Sequence, residues 1–132
     1  MGENQQPKKI LVVDDNEVNR YTLAKMLKSR GAEVLHASCG SQGLESAKES
    51  PDVALVDIHL PDMTGYEMLD QLRKKPEGAS LPVVLMSATE PAPHARSAAA
   101  ALGVHSFLTL PVVPEDLWIV IEATVHRQKR RA

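Results

Sequence analysis

Cysteine is nearly absent from this chain: the single Cys39 among 132 residues excludes an internal disulfide and suits a reducing cytoplasm. An excess of charge of either sign is missing too. Fifteen lysines and arginines stand against 17 aspartates and glutamates, a formal net charge of −2, which gives no electrostatic reason to expect direct contact with nucleic acid or a membrane. No apolar stretch approaches the ~20 residues needed to span a bilayer, and residues 1–9 lack the apolar centre of a secretion signal. Internal repeats, low-complexity tracts and the Gly-x-Gly-x-x-Gly and P-loop fingerprints of nucleotide binding are absent as well. These absences predict a soluble cytoplasmic protein.

Apolar residues make up 43% of the chain, enough for one domain with a core covered on both faces. Their arrangement is more telling than their number. The run 53–56 ends at Asp57, and the run 10–13 ends at Asp14 and Asp15. Short apolar runs bounded by polar residues read as buried strands of a parallel sheet, and such sheets place ligands at the carboxyl ends of their strands. Three carboxylates are therefore expected at one edge. Gathered there they repel one another unless a cation lies between them, and hard oxygen ligands with room for water favour Mg²⁺.

Strands and helices alternate along the rest of the chain. Strand one covers 10–14, and the helix after it has Val18, Tyr21, Leu23, Met26 and Leu27 at mainly three- and four-residue spacing, with Gly31 as its stop. Strand two is 34–37, Gly40 opens a helix holding Leu44 and Ala47, and Ser50-Pro51-Asp52 marks the turn into strand three. A loop with Pro61 and Gly65 leads to a helix carrying Met68, Leu69 and Leu72, which stops near Pro76. Strand four is 81–86. Pro91 and Pro93 confine the start of a fourth helix, whose alanine run 97–101 offers little apolar bulk and predicts a short, mobile segment. After strand five, 104–109, Pro114 starts a last helix with an inward stripe of Leu117, Val120, Ile121 and Thr124. Regular alternation of this kind predicts a doubly wound α/β fold.

Four motifs in order carry a family resemblance: Ile10-Leu11-Val12-Val13-Asp14-Asp15, then Val56-Asp57 through Pro61 to Gly65, then Met86-Ser87-Ala88, then Phe107-Leu108-Thr109-Leu110-Pro111. Together they resemble the response-regulator receiver domain of two-component signalling, CheY-like, over nearly all of the chain from residue 9 to 125. The resemblance implies a flavodoxin-like five-stranded parallel sheet of order 2-1-3-4-5 with five helices. It divides the chain into an N-terminal tail, 1–8, a receiver domain, 9–126, and a basic tail, 127–132. It also implies that Asp57 accepts a phosphoryl group from a histidine kinase or phosphotransfer protein in a phosphorelay. Mg²⁺ would be held by Asp57, by Asp15 directly, by Asp14 mainly through water, and by the backbone carbonyl of His59. Ser87 would donate its hydroxyl to a phosphoryl oxygen. Taken singly, each of these residues reads as a polar strand cap; four ordered motifs argue for a site.

One position departs from the pattern. Receivers carry a lysine before the proline of the last motif, and this chain has Leu110, which has neither charge nor donor. A receiver-like interaction module with weak or absent phosphorylation control is therefore the alternative to a phosphorylated receiver. A magnesium-dependent phosphatase with an aspartate nucleophile is disfavoured, because such enzymes usually carry a second aspartate two residues on, where His59 stands; the chain is not expected to be an enzyme. The His59 side chain reads as a solvated loop group before it reads as a substitute cation. Phe107 matches an aromatic switch position in receivers, and reads equally as a core strand residue. Trp118 follows Leu117 by one residue, about 100° around the helix from the inward stripe, which predicts exposure. With it goes an interface, for a partner or a homodimer, on helices four and five with strand five. The basic cluster 127–131 at a helix end suits the helix dipole better than nucleic-acid binding.

Overall fold

Alternation along the central strands sends successive side chains to opposite faces of one sheet, and both faces are apolar. In the computed structural model, which describes residues 7–131 and the side chains of 7–127, these strands are β1 (Lys9–Val13), β2 (Glu33–Ala37), β3 (Val53–Asp57), β4 (Val83–Ser87) and β5 (Ser106–Thr109). All neighbours pair in parallel, in the order β2-β1-β3-β4-β5. The expected flavodoxin-like arrangement is the one observed. Expectations for the tail 1–6 and for side chains 128–132 fall outside the described residues.

Leu11, Val13, Ala54, Val56, Val83 and Leu85 face one layer of helices: α2 (Gly40–Ser46), α3 (Gly65–Arg73) and α4 (Pro93–Ala101). Ile10, Val12, Val53, Leu55, Val84 and Met86 face the other, α1 (Glu17–Lys28) and α5 (Pro114–Arg131). Each strand residue belongs to one face by parity. The Asn16 side chain caps α1 by accepting the Asn19 N–H, and Thr64 with Glu67 forms a capping box at α3, so both helices start where side-chain oxygens replace missing backbone partners. The backbone of α5 continues to Arg131, so the basic cluster lies on a helix.

The expectation for Trp118 is corrected. The residue is 2% exposed and belongs to the same apolar cluster as Leu23, Leu27, Ala32 and Ile121, with the Arg30 guanidinium 5.4 Å from the ring centroid. The stripe read from the sequence was too narrow. The buried arc of α5 comprises Leu117, Trp118, Ile121, Thr124 and Val125, and Trp118 and Val125 are seven residues apart on a flank turned toward α1. Ile119, 63% exposed, takes the outward position. Truncating a buried indole leaves a cavity, so Trp118→Ala should lower unfolding stability by about 3–5 kcal/mol in denaturant titration. A loss below about 1 kcal/mol would place the indole outside the core.

Candidate functional site

Register brings the carboxylates together. Val13 lies opposite Val56 in the β1–β3 pair, so the next residues, Asp14 and Asp57, are neighbours at the carboxyl edge and leave the sheet on the same side by parity. With Asp15 they place one carboxylate oxygen each within 4.8 Å of one another. Their surroundings differ sharply: Asp14 is fully buried, Asp57 half-buried and Asp15 exposed.

Asp14 is held from several directions. Its Oδ1 accepts the Asn16 N–H at 2.9 Å, a local turn that Asp favours, and its backbone N–H donates to the Ala37 carbonyl at 3.0 Å. Arg20 Nη1 donates to the Asp14 carbonyl at 2.6 Å. The second carboxylate oxygen, Oδ2, is buried without a hydrogen-bond partner. Burial pushes the Asp14 carboxyl up from 3.8 to about 6; the Asn16 N–H opposes the rise, while Asp57 and Asp15 add to it. Among the described residues no lysine or arginine pairs with any of the three carboxylates. An all-oxygen donor set with one buried, unpartnered oxygen and no neutralising side chain fits a hard divalent cation.

The loop after β3 completes this edge. Asp57 Oδ1 accepts the His59 N–H at 2.9 Å, and the exposed His59 pairs with Thr64 in a single antiparallel bridge. Gly65 N–H donates to the Ile58 carbonyl at 2.7 Å. A Cβ on Gly65 would stand 2.6 Å from the Asp57 carbonyl oxygen, so only glycine lets α3 begin this close to the Asp57 backbone.

Asp57 pairs with Met86, which puts Ser87 one residue further out on β4. Ser87 is 6% exposed, and its Oγ accepts the Thr89 N–H at 3.2 Å. Phe107 is half-buried against the α3–α4 layer, under the Arg96 guanidinium at 4.7 Å, and Arg96 also pairs with Glu90 at 2.7 Å. Leu110 N–H donates to the Ser87 carbonyl at 2.9 Å. Its side chain packs against the α1–α5 layer and lines a groove with Asn19, Leu23, Met26 and Val112. The residues missed by sequence reasoning are Asn16, Arg20 and Thr89. An Asp followed two residues later by Asn could have signalled the turn at Asn16; the contact from Arg20 depends on how α1 docks and has no local signature.

The family model for the response regulator receiver domain matches residues 10–122. The chain belongs to this family. Protein PilH of Pseudomonas aeruginosa is 35% identical over 118 residues, covering 89% of this chain and 97% of that protein. The crystal structure of a CheY-like response regulator receiver domain protein from Methanospirillum hungatei superposes with a TM-score of 0.84 at 26% identity, covering 96% of this chain and all of the other. The receiver domain of a sensor histidine kinase from Pseudomonas aeruginosa, solved with a magnesium ion coordinated in its active-site cleft, superposes at 0.80 with 26% identity over 92% of this chain and 99% of that one. Accepting a phosphoryl group on an aspartate is the general function of receivers, and histidine kinases or phosphotransfer proteins are their general partners.

The raised Asp14 carboxyl has a consequence for this receiver without metal. Below pH 3.8 the group is protonated folded and unfolded; between 3.8 and about 6 the folded chain holds the proton more tightly; above that both forms release it. Its contribution to stability is therefore present at low pH and lost as pH rises through the window. In metal-free buffer Asp14→Asn should gain stability over wild type as pH rises across that range, by on the order of 3 kcal/mol at most, measured by denaturant unfolding. A difference independent of pH would show that Asp14 titrates like an exposed carboxylate.

Proposed function

We propose that Asp57 is the phosphoacceptor of this receiver and that Mg²⁺ is its cofactor, held by Asp14, Asp15, Asp57 and the backbone carbonyl of His59. The observation that carries this reading is the buried, unpartnered Asp14 Oδ2 in a cluster of three carboxylates, none of which, among the described residues, pairs with a lysine or arginine. Mg²⁺, when bound, neutralises the negative charge that would otherwise keep a phosphoryl group away.

The rest falls to the chain's own residues. Asp57 projects from a strand end, and the His59 N–H orients its Oδ1, so the other oxygen is the one to attack phosphorus. As that O–P bond forms, the P–N bond to the donor histidine breaks and its imidazole nitrogen keeps the electron pair. Ser87, whose Oγ accepts the Thr89 N–H, keeps its own O–H to donate to a phosphoryl oxygen. Phe107, opposite Leu85 on the neighbouring strand and packed against the α3–α4 layer, is the residue whose packing would respond. A cytoplasmic setting suits the single Cys39, and among the described residues no helix is long and apolar enough to cross a membrane. Direct nucleic-acid contact has no support in the net charge. The homodimer on α4, β5 and α5 is not carried forward, because the tryptophan that suggested it is in the core.

Leu110 favours a second reading. Where a receiver lysine would contact the phosphoryl group, this side chain joins an apolar groove against α1, which suits a module whose partner binding is weakly coupled to phosphorylation. A missing charge-assisted hydrogen bond of roughly 1.5–3 kcal/mol shifts an equilibrium by ~10- to 150-fold, so the modified state is weakened and not forbidden.

Incubation with a small phosphodonor and Mg²⁺ should add one phosphoryl group to the intact mass of wild type and none to Asp57→Asn. Equal modification of both would remove Asp57 as the acceptor; modification of neither, with both folded and wild type binding Mg²⁺, selects the interaction module. Leu110→Lys should raise the extent or lifetime of the modification under limiting donor, at the cost of a small loss of stability from the apolar contacts it gives up. Equal modification of wild type and Leu110→Lys would mean that another group already supplies the charge.

A further inference from the structure

The loop of residues 58–64 carries the His59 backbone, and its base is closed by bonds already present in the scaffold. Ile58 N–H donates to the Met86 carbonyl at 2.9 Å, Gly65 N–H donates to the Ile58 carbonyl, and His59 bridges Thr64. The tip is held differently. Asp62 Oδ1 accepts the Gly40 N–H at 2.8 Å and its Oδ2 accepts the Ser41 N–H at 3.0 Å, both from the first turn of α2. Such N–H groups have no partner inside their helix, and the Cys39 side chain, which precedes them and meets the Ser41 hydroxyl, caps none of them. A second contact pins the same point. Met63 lies so close to Gly40 that a Cβ there would come within 2.5 Å of Met63 Cγ. Polar and apolar contacts thus clamp one loop tip to one helix start.

We infer that Asp62 is a positioning residue of the phosphorylation site: by fixing the loop tip to α2 it sets where the His59 backbone stands beside Asp57, and so how well this edge holds a divalent cation. The inference rests on the cation reading of the preceding section. Asp62 does not join the carboxylate cluster; it acts through the seven-residue loop, whose other end is anchored on β3 and β4. A bidentate carboxylate on two adjacent N–H groups restrains both the distance and the angle of the tip, which a single acceptor does less well. Residues that orient a ligand from behind commonly change metal affinity by an order of magnitude.

The test is a Mg²⁺ titration of wild type, Asp62→Asn, Asp62→Ala and Asp57→Asn, at ordinary and about 1 M monovalent salt, with amide hydrogen exchange at Gly40, Ser41 and His59. Asp62→Ala should bind Mg²⁺ roughly tenfold more weakly, Asp62→Asn should be intermediate because it keeps one acceptor, and the loss should persist where salt shortens the Debye length to ~3 Å. Exchange should quicken at His59 as well as at Gly40 and Ser41. Faster exchange confined to Gly40 and Ser41 with Mg²⁺ affinity unchanged would reduce Asp62 to a helix cap and overturn the inference. So would an affinity loss equal in both Asp62 variants that vanishes in high salt, since that is long-range charge and not position. If Asp57→Asn binds Mg²⁺ as wild type does, the cation reading itself fails; if Asp57→Asn is weakened and the Asp62 variants are not, only the positioning role fails.

Discussion

The burial of one carboxylate organises this molecule. Asp14 sits at the end of a strand covered on both faces, with one oxygen held by the Asn16 N–H and the other buried without a partner. An ionised group in that position is costly, and Asp57 beside it raises the cost. Such an arrangement persists only where the surrounding fold leaves the side chain no alternative. Register with β3, the bond from Asp14 N–H to Ala37 and the Arg20 contact on its carbonyl together leave none. The chain therefore holds a local instability that a bound cation would relieve.

The rigidity that maintains this tension comes from the sheet. Residues of β1, β3 and β4 are nearly all inaccessible, packed between α2, α3 and α4 on one side and α1 and α5 on the other. Groups set at the ends of such strands move less than groups on free loops, which is what a constellation of three or four side chains requires. The connecting loop after Asp57 would be the weak part. Its base is closed by backbone bonds, Gly65 allows α3 to start against the Asp57 carbonyl, and its tip meets α2.

Leu110 shows how one substitution redirects a surface. It shares the parity of the residues facing the α1–α5 layer, and its side chain continues that layer's apolar contacts up to the rim of the site. An ammonium group at this position would have offset one of the three carboxylate charges; a leucine lines an apolar groove against α1 instead.

Much of this was legible in the sequence, for a physical reason: strands buried on both faces need continuous apolar runs, and a run interrupted by aspartate announces where the strand leaves the core. Asp14, Asp15 and Asp57 were visible on that ground, and so was the five-fold alternation of strand and helix; Ser87 came with the family motifs. The neighbourhood of Asp14 and Asp57 required the strand order, which came with the family motifs and not with periodicity. Tertiary structure alone decided the rest. Trp118 entered the core because α5 lies against α1 along a wider arc than its inward stripe implied, and docking angle is a property of two helices. Asp62 met Gly40 and Ser41 across more than twenty residues, where no local pattern links them. Which carboxyl of the cluster is pushed up depends on burial, and burial is created only when the layers close over the sheet.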